Sequence, residues 1–197
     1  PIPSRGLGDV YKRQVFIMGI GGSGMSSIAK YLKQKGYHVE GYDQRISYIT
    51  NLLENDGVRT YQNYGDFIYE KDVLYIISSA VNLNNTFLKN FKKNKNVISR
   101  PNFFRELSNE KDIIGITGTH GKTSTTALVS HIFQFNNKNV SFIYGGVSSF
   151  GYLGGHCGED NLPLILETDE AFNTFKNINI KDLIAVSYTH LRAHETV

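Results

Sequence analysis

The chain has 197 residues, 40% of them hydrophobic, and a formal net charge of +3 from 21 basic and 18 acidic side chains. This composition supports a packed core and argues against a disordered chain, and the near-neutral charge gives no argument for a nucleic-acid-binding protein. The single cysteine, Cys157, excludes an intrachain disulfide and fits a reducing cytoplasm. No apolar run is long enough to predict a membrane span.

The first half of the chain alternates between strand-like and helix-like patterns. Strands are predicted at 15–20, 37–42, 72–78 and 96–99. Helices are predicted at 25–35, 47–54 and 86–91, and from Pro101 onwards. Ser47 is expected to cap the second helix, and Pro101 suits the first turn of the last one. Because the strands alternate with helices, a parallel sheet is expected.

The second half repeats this alternation. Strands are predicted at 112–117, 140–144, 162–167 and 182–186, a helix at 122–135, and a glycine-rich loop at 145–161. The pattern predicts an α/β fold with two domains that meet near 106–111. The terminal segments 1–14 and 187–197 have neither periodicity nor the composition of the body, and they are interpreted as non-native tails.

A glycine-rich turn follows the first predicted strand. Gly19, Gly21 and Gly24 match G-x-G-x-x-G between a strand and a helix, a pattern that lets the backbone approach a diphosphate at a helix amino terminus. Asp43 lies 19 residues after Gly24, where a carboxylate either bonds a ribose or stabilises a turn. The pattern predicts a nucleotide- or dinucleotide-binding site, and an NAD-dependent Rossmann oxidoreductase is one interpretation.

A second glycine-rich turn, at 115–124, resembles a phosphate-binding loop. It departs from the strict Walker A pattern, because Ile116 stands where the first glycine is usual. Backbone N–H groups can surround the phosphates, Lys122 can reach the β and γ oxygens, and the Thr123 hydroxyl can ligate Mg²⁺. His120 either contacts the ligand or holds the loop by hydrogen bonds. The predicted ATP-binding residues are Gly118, Thr119, His120, Gly121, Lys122, Thr123 and Ser124.

Three acidic residues, Glu167, Asp169 and Glu170, follow a strongly apolar predicted strand. Open α/β sheets bind ligands at the carboxyl ends of their strands, and carboxylates there can hold a Mg²⁺ ion bound to ATP. The alternative is that these acidic residues only cap the next helix. Glu167 is the preferred metal ligand together with Thr123, and the predicted catalytic residues are Lys122, Thr123 and Glu167.

In this order, the three sites resemble the Mur ligase family. The most specific match is the phosphate loop Gly-Thr-His-Gly-Lys-Thr at 118–123, and the segments 41–43, 77–81, 145–147 and 167–170 resemble further family motifs. The Gly-Ile-Gly-Gly-Ser-Gly-Met turn at 19–25 is similar to the family's UDP-binding turn. The resemblance implies a UDP-substrate site at Gly19, Gly21, Gly22, Ser23, Gly24, Met25, Asp43, Ser78, Ser79 and Ala80.

The resemblance implies a Rossmann-like UDP-binding domain at 15–106 and a partial P-loop ATPase-type parallel-sheet domain at 107–186. It also implies a reaction of peptidoglycan precursor synthesis that uses ATP and Mg²⁺. ATP would phosphorylate the carboxylate of UDP-N-acetylmuramate, and the amine of L-alanine would displace phosphate from the acyl phosphate. The family's third domain, which holds the amino acid, is not found in the 197 residues, so this chain alone is expected to bind nucleotides without forming the amide.

Other interpretations remain open from the sequence. A recycling branch of the family joins a preformed peptide to UDP-muramate and shares these turns, although the Gly-Gly-Ser-Gly-Met form favours the L-alanine branch. A nucleotide-binding regulatory module is the non-catalytic alternative. Two departures bear on the site: Phe172 stands where the family usually has an aspartate, and His190 comes too early to be the family's metal-binding histidine.

Overall fold

The protein folds into two five-stranded sheets. The computed structural model describes residues 14–81, 96–148, 151–168 and 178–187. The predicted helix at 86–91 and nearly all of the two predicted tails lie outside those residues. The two sheets confirm the α/β class that the sequence predicts. Among the described residues, no helix has both the length and the apolar character that a membrane span requires.

The first sheet is parallel throughout, and its strand order is β3-β2-β1-β4-β5. Its strands are β1 (Gln14–Met18), β2 (His38–Tyr42), β3 (Arg59–Tyr61), β4 (Leu74–Ile77) and β5 (Val97–Ser99). From β1 the strands are added on one side as β2 and β3, and the chain then crosses to the other side of β1 to add β4 and β5. The order of the strands thus reverses between β1 and β4. Open α/β sheets bind their ligands at such a switch point, outside the carboxyl ends of the strands.

Helices α1 (Ser23–Gln34) and α2 (Tyr48–Asn55) connect strands of this sheet, and α3 (Arg100–Glu110) follows β5 and leads to the second sheet. Ser47 caps α2 as predicted, because its hydroxyl accepts the Thr50 N–H while the Thr50 hydroxyl accepts the Ser47 N–H. Pro101 lies in the first turn of α3, which Ser99 caps. Local sequence signals therefore fix the starts of both helices.

The second sheet has the order β10-β6-β9-β7-β8. Its elements are β6 (Ile113–Thr117), α4 (Lys122–Phe135), β7 (Ser141–Val147), β8 (Leu153–His156), β9 (Leu164–Glu167) and β10 (Asp182–Ala185). β6, β7, β9 and β10 run parallel, whereas β8 runs antiparallel to β7. The phosphate-loop sequence between β6 and α4 thus lies at the carboxyl edge of this sheet.

The glycine-rich loop predicted at 145–161 is wrong at 145–147 and 153–156, which form strands. β7 continues through Gly145 and Gly146 to Val147, and the chain then returns as β8, with Phe142 paired to His156 and Ile143 to Gly155. Glycine lowers strand propensity, but backbone hydrogen bonds to a neighbouring strand and close packing override that local preference. The sequence analysis also missed β3, whose three residues are too few to show a period.

Helix α1 lies between the two sheets, and one continuous hydrophobic core surrounds it. Val15 and Ile17 of β1 contribute to this core from one side, and Leu153 and Leu166 of the second sheet contribute from the other. The backbones approach so closely that a Cβ built on Gly155 would lie 2.0 Å from the carbonyl oxygen of Ser27. The two sheets therefore pack as one body around α1.

Hydrogen bonds hold both α1 and the connection between α3 and β6 against the second sheet. The Ser27 hydroxyl donates to the Tyr144 carbonyl at 2.6 Å, and the Cys157 N–H donates to the Gln34 side chain at 2.8 Å. At the connection between α3 and β6, the buried Lys111 ammonium donates to the Ser141 hydroxyl at 3.1 Å. Burial lowers the pKa of Lys111. The bonds of Ser27 and Gln34 fix the position of α1, and hence of the turn that precedes it, against β7 and the end of β8.

Candidate functional site

The first glycine turn depends on glycine for its shape. Gly19 has a φ of +81°, which L side chains rarely adopt, and a Cβ there would lie 3.0 Å from the Cβ of Ser78. The Gly21 N–H donates to Oδ2 of Asp43 at 2.9 Å, and the Arg45 N–H donates to Oδ1 at 3.1 Å. Asp43 therefore stabilises the turn directly, and its contact with a ribose stays a prediction.

Other predicted substrate residues line the same edge of the first sheet, with one exception. Gly22 and Ser23 are exposed before and at the start of α1, and Ser79 and Ala80 are exposed after β4. The exception is Met25, which is only 2% exposed in the core around α1. Its side chain lies on the core side of the turn, with Cγ 3.9 Å from a Cβ built on Gly22, and is not exposed at the edge.

Tyr42 and Asp43 lie next to each other at the end of β2, at this edge of the sheet. Tyr42, which precedes Asp43, stacks on Tyr64 with 4.3 Å between ring centroids. Burial, followed by the Tyr64 hydroxyl, raises the pKa of Tyr42 to about 12. The phenol therefore stays neutral near pH 7, and Asp43 supplies the negative charge that holds the turn.

Helices α1 and α4, which follow the two glycine turns, begin differently from α2 and α3. Gly22 and Gly121 occupy their N-cap positions, and within the described residues neither helix has a side-chain cap or an acidic residue in its first turn. Serine side chains cap both α2 and α3. The first N–H groups of α1 and α4 therefore remain suited to an anionic ligand.

The second turn has the geometry of a phosphate loop. Gly118 and Gly121 have φ values of +137° and +81°. Lys122 is the first residue of α4, and its ammonium folds back to donate to the Gly118 carbonyl. Both His120 and Ser124 are exposed at the surface of this turn.

The end of β10 packs against the same loop. The Thr119 hydroxyl donates to the Ser187 hydroxyl at 3.1 Å, and a Cβ on Gly121 would lie 3.2 Å from Val186. Ser187, which the sequence analysis placed in a non-native tail, thus lies in contact with the loop. Gly118 also requires glycine, because a Cβ there would lie 2.9 Å from the Ser187 nitrogen.

Glu167 connects the phosphate loop with β7. It ends β9, between β6 and β7, and accepts the Thr123 hydroxyl at 2.9 Å and the Gly145 N–H at 2.7 Å. Asp169 and Glu170 lie outside the described residues. Among those described, no three His, Cys, Asp or Glu side chains form a metal-binding group. The Thr123 and Glu167 oxygens nevertheless fit Mg²⁺, which commonly takes one or two carboxylates together with substrate phosphates and water.

The start of α1 and the end of β9 approach each other at Gly145. A Cβ built on this residue would lie 3.4 Å from the Ser23 hydroxyl oxygen, 3.7 Å from Oε2 of Glu167 and 3.9 Å from the Gly24 nitrogen. The start of α1 and the acidic end of β9 therefore both lie within 4 Å of one point. This role of Gly145 could not be predicted from the sequence, because the contact depends on how the sheets pack around α1.

Arg100 was not predicted from the sequence as a site residue. This first residue of α3 follows β5, and its guanidinium lies against the first turn of α1, where Nη1 is 2.8 Å from a Cβ built on Gly24. The same guanidinium lies over the Phe104 ring, 5.6 Å from its centroid. Its place after a strand of the first sheet was visible in the sequence, but its contact with α1 was not.

Two glycine turns, each followed by a helix without a side-chain cap, define an α/β protein with two nucleotide-binding-type units. The chain belongs to the Mur ligase family, since the family's catalytic-domain model matches residues 14–112, half of the sequence.

Curated relatives of the chain are UDP-N-acetylmuramate–L-alanine ligases. The enzyme of Ruthia magnifica subsp. Calyptogena magnifica is 31% identical over 184 residues, which cover 92% of this chain and 39% of that protein. The enzyme of Rickettsia felis is 35% identical over 173 residues, covering 87% of this chain and 36% of that protein. The chain thus spans less than half the length of these relatives.

Solved structures have the same fold. The UDP-N-acetylmuramate–alanine ligase of Thermotoga maritima superposes with a TM-score of 0.76 at 29% identity, covering 87% of this chain and 40% of that one. The UDP-N-acetylmuramate:L-alanyl-gamma-D-glutamyl-meso-diaminopimelate ligase from Neisseria meningitides superposes with a TM-score of 0.75. Its identity is 19%, with 88% of this chain and 60% of that one covered, so this likeness concerns the fold alone.

Proposed function

We propose that this chain carries the nucleotide-binding part of an ATP-dependent ligase that joins L-alanine to UDP-N-acetylmuramate through an acyl phosphate. The curated relatives with that activity support the choice of substrates. The observation that carries the proposal is the convergence at Gly145, where the start of α1 and Glu167 both lie within 4 Å of one point. Phosphoryl transfer between two bound substrates requires such proximity, because positioning supplies much of the rate acceleration.

The first glycine turn and the phosphate loop have separate roles in the proposed reaction. The turn 19–24 and the start of α1 would hold the diphosphate of the UDP-sugar, so that its carboxylate points toward Gly145. The loop 118–124 would hold the ATP phosphates through its N–H groups, and the Lys122 ammonium would neutralise charge on the transferred phosphoryl group. Thr123 and Glu167 would hold Mg²⁺, which when bound neutralises phosphate charge.

The domain limits 15–106 and 107–186 belong to the same proposal. The described contacts favour a rigid pairing of the two units, since α1 packs on both sheets and Lys111 anchors the connection between α3 and β6. A rigid pairing suits the reaction, because a carboxylate and a γ-phosphate must stay in line during transfer. The localisation is proposed to be cytoplasmic, where both nucleotides are available.

An NAD-dependent oxidoreductase accounts for less of the site. It would use the turn 19–24 and Asp43 but would leave the phosphate loop and Glu167 without a role. Both oxygens of Asp43 already accept backbone N–H bonds from Gly21 and Arg45, which favours the turn-stabilising role over recognition of an adenosine ribose. The ligase accounts for both glycine turns and for the approach of the start of α1 to Glu167.

The 197-residue chain should bind UDP-N-acetylmuramate more tightly than NAD. The start of α1 offers N–H groups to either diphosphate, but only the UDP-sugar carries a carboxylate that can reach toward Gly145. Isothermal titration calorimetry with the two ligands, under identical buffer and salt, measures the preference. Tighter binding of NAD would overturn the ligase and favour the oxidoreductase.

Replacing Glu167 with glutamine should weaken the Mg²⁺ dependence of ATP binding. The amide keeps the size of the side chain but loses the negative charge that a divalent cation requires. Titration of ATP affinity against Mg²⁺ concentration should show a requirement shifted upward by about tenfold or more. Glu106→Gln, which changes a surface partner of Arg105, is the control and should match the parent chain. An unchanged Mg²⁺ requirement in Glu167→Gln would move the metal site elsewhere.

A further inference from the structure

Ser27 connects helix α1 with the strand that carries Gly145. Its side chain is fully buried, and its hydroxyl donates to the Tyr144 carbonyl of β7 at 2.6 Å. The Ser23 carbonyl, one turn earlier in α1, lies 2.9 Å from the same hydroxyl oxygen. A hydroxyl has a single proton to donate, and the Tyr144 carbonyl is the nearer acceptor. The Ser27 hydroxyl therefore ties α1 to β7.

The peptide group between Tyr144 and Gly145 links this bond to Glu167. Its carbonyl accepts the Ser27 hydroxyl, and its N–H donates to Oε2 of Glu167 at 2.7 Å. Oε1 of the same carboxylate accepts the Thr123 hydroxyl at 2.9 Å. Because a peptide group is planar and rigid, a bond that fixes its carbonyl also fixes the direction of its N–H. Ser27 thus determines where the Gly145 N–H points.

An irregular stretch of β7 places this peptide group between α1 and β9. The pairing of β7 with β8 shifts register between Ile143 and Val147, so residues 144–146 lie opposite Gly154 alone. The extra residues of a bulge leave the regular ladder, and bulges redirect groups beside functional sites. Within this stretch the Gly145 N–H bonds the carboxylate at the end of β9.

We infer that Ser27 is a positioning residue for Glu167, the proposed Mg²⁺ ligand. The inference rests on the proposed function, in which Thr123 and Glu167 hold the ion. Ser27 is buried away from both ligands and acts through the peptide group that it holds. Groups that orient a ligating carboxylate change metal affinity without binding the metal themselves. Because Ser27 belongs to α1, the same bond keeps Glu167 aligned with the helix that begins at the first glycine turn.

Ser26 provides a matched control. It is the preceding residue of α1, it is also fully buried, and its hydroxyl donates to the Ser23 carbonyl at 2.9 Å. Of these two described hydroxyls, only that of Ser27 also bonds β7. Replacing either serine with alanine removes one buried hydroxyl from the same turn of helix. A difference between the two variants therefore reports the bond to Tyr144.

Titration of ATP affinity against Mg²⁺ concentration, with the 197-residue chain, tests the inference. Ser27→Ala should raise the Mg²⁺ requirement by about three- to tenfold, less than the roughly 10- to 100-fold effect of losing a group that bonds a metal ligand directly. ATP affinity at saturating Mg²⁺ should stay close to that of the parent. Ser26→Ala should need the same Mg²⁺ as the parent. A purely structural role of Ser27 would lower the melting temperature without changing the Mg²⁺ requirement.

Amide hydrogen exchange gives a second measurement, which needs no metal. The Gly145 N–H is protected by its bond to Glu167. Ser27→Ala should speed the exchange of this amide by about fivefold, as expected when one hydrogen bond is weakened, and Ser26→Ala should leave it unchanged. Ser27→Cys fills nearly the same space with a weak donor. It should behave like Ser27→Ala, and it takes the place of that variant if alanine unfolds the chain.

The two assays distinguish a failure of the inference from a failure of the proposed function. ATP binding that is independent of Mg²⁺, or unaffected by Glu167→Gln, would overturn the proposed metal site and the role of Ser27 with it. A Mg²⁺ requirement raised by Glu167→Gln but unchanged by Ser27→Ala would overturn the role of Ser27 alone. Equal shifts in Ser26→Ala and Ser27→Ala would assign the effect to the packing of α1, which also contradicts the inference.

Discussion

Replacing Lys122 with alanine should reduce Mg-ATP binding below detection while the fold survives. The ammonium is the only side-chain cation of the predicted phosphate loop, and a multiply charged anion loses a charge-assisted contact when it is removed. Lys122 lies at the start of α4 and bonds a loop carbonyl rather than the hydrophobic core. The free energy of unfolding should therefore change by less than about 1 kcal/mol. Calorimetry measures the binding, and circular dichroism melts measure the stability.

Lys138→Ala is the matched control for this experiment. Lys138 lies just beyond α4 and is exposed, so its replacement removes the same charge from the chain without touching the loop. ATP affinity in this variant should equal that of the parent. If Lys122→Ala binds Mg-ATP like the parent, the loop 118–124 is not the ATP site.

Replacing Gly155 with alanine should destabilise the whole protein. The added methyl group would lie 2.0 Å from the carbonyl oxygen of Ser27 and 3.0 Å from its Cα. These are backbone atoms of a helix held between two sheets, so the clash cannot be relieved by rotating a side chain. The loss should be about 3 kcal/mol or more, at the upper end for an overpacked core. Urea denaturation followed by circular dichroism measures it.

Gly65→Ala isolates the effect of packing from the effect of glycine itself. Among the described residues, nothing lies within 4 Å of a Cβ built on Gly65. This variant should differ from the parent by less than about 1 kcal/mol. Equal stability of Gly155→Ala and Gly65→Ala would show that β8 does not pack on α1 as described.

Much of the fold could be predicted because its signals are local. Helix α4 begins at Lys122 and ends at Phe135, the bounds that the sequence predicted, since a glycine turn precedes it and its apolar residues recur at helical spacing. Ser47 and Pro101 marked the starts of α2 and α3 through their own backbone chemistry. Each of these signals depends on residues that lie close together in the sequence.

The hairpin of β7 and β8 could not be predicted in this way. Gly154 and Gly155 read as loop residues, because glycine weakens a strand in isolation. In the folded chain, a Cβ on Gly154 would lie 2.4 Å from the Tyr144 carbonyl oxygen, so glycine is required there by close approach. That requirement is set by Tyr144, ten residues earlier in the chain, and periodicity carries no information about it.

In the candidate site, too, the local features could be predicted from the sequence and the tertiary contacts could not. The glycine turns and Lys122 could be found because phosphate binding needs particular residues in consecutive order. The bond between Asp43 and Gly21, the approach of Arg100 to Gly24 and the position of Gly145 all depend on tertiary packing.

Because α1 lies between the sheets, part of its surface is buried only after β7 and β8 have been synthesised. The Gln34 side chain bonds the Cys157 N–H, 123 residues later in the chain, and β7 and β8 cover the adjoining face of the helix. Ribosomes add roughly 5–20 residues per second, so α1 emerges on the order of ten seconds before the strands that bury it. During that interval the nascent chain presents an apolar helical surface, and a holding chaperone that binds such surfaces would have time to act on it.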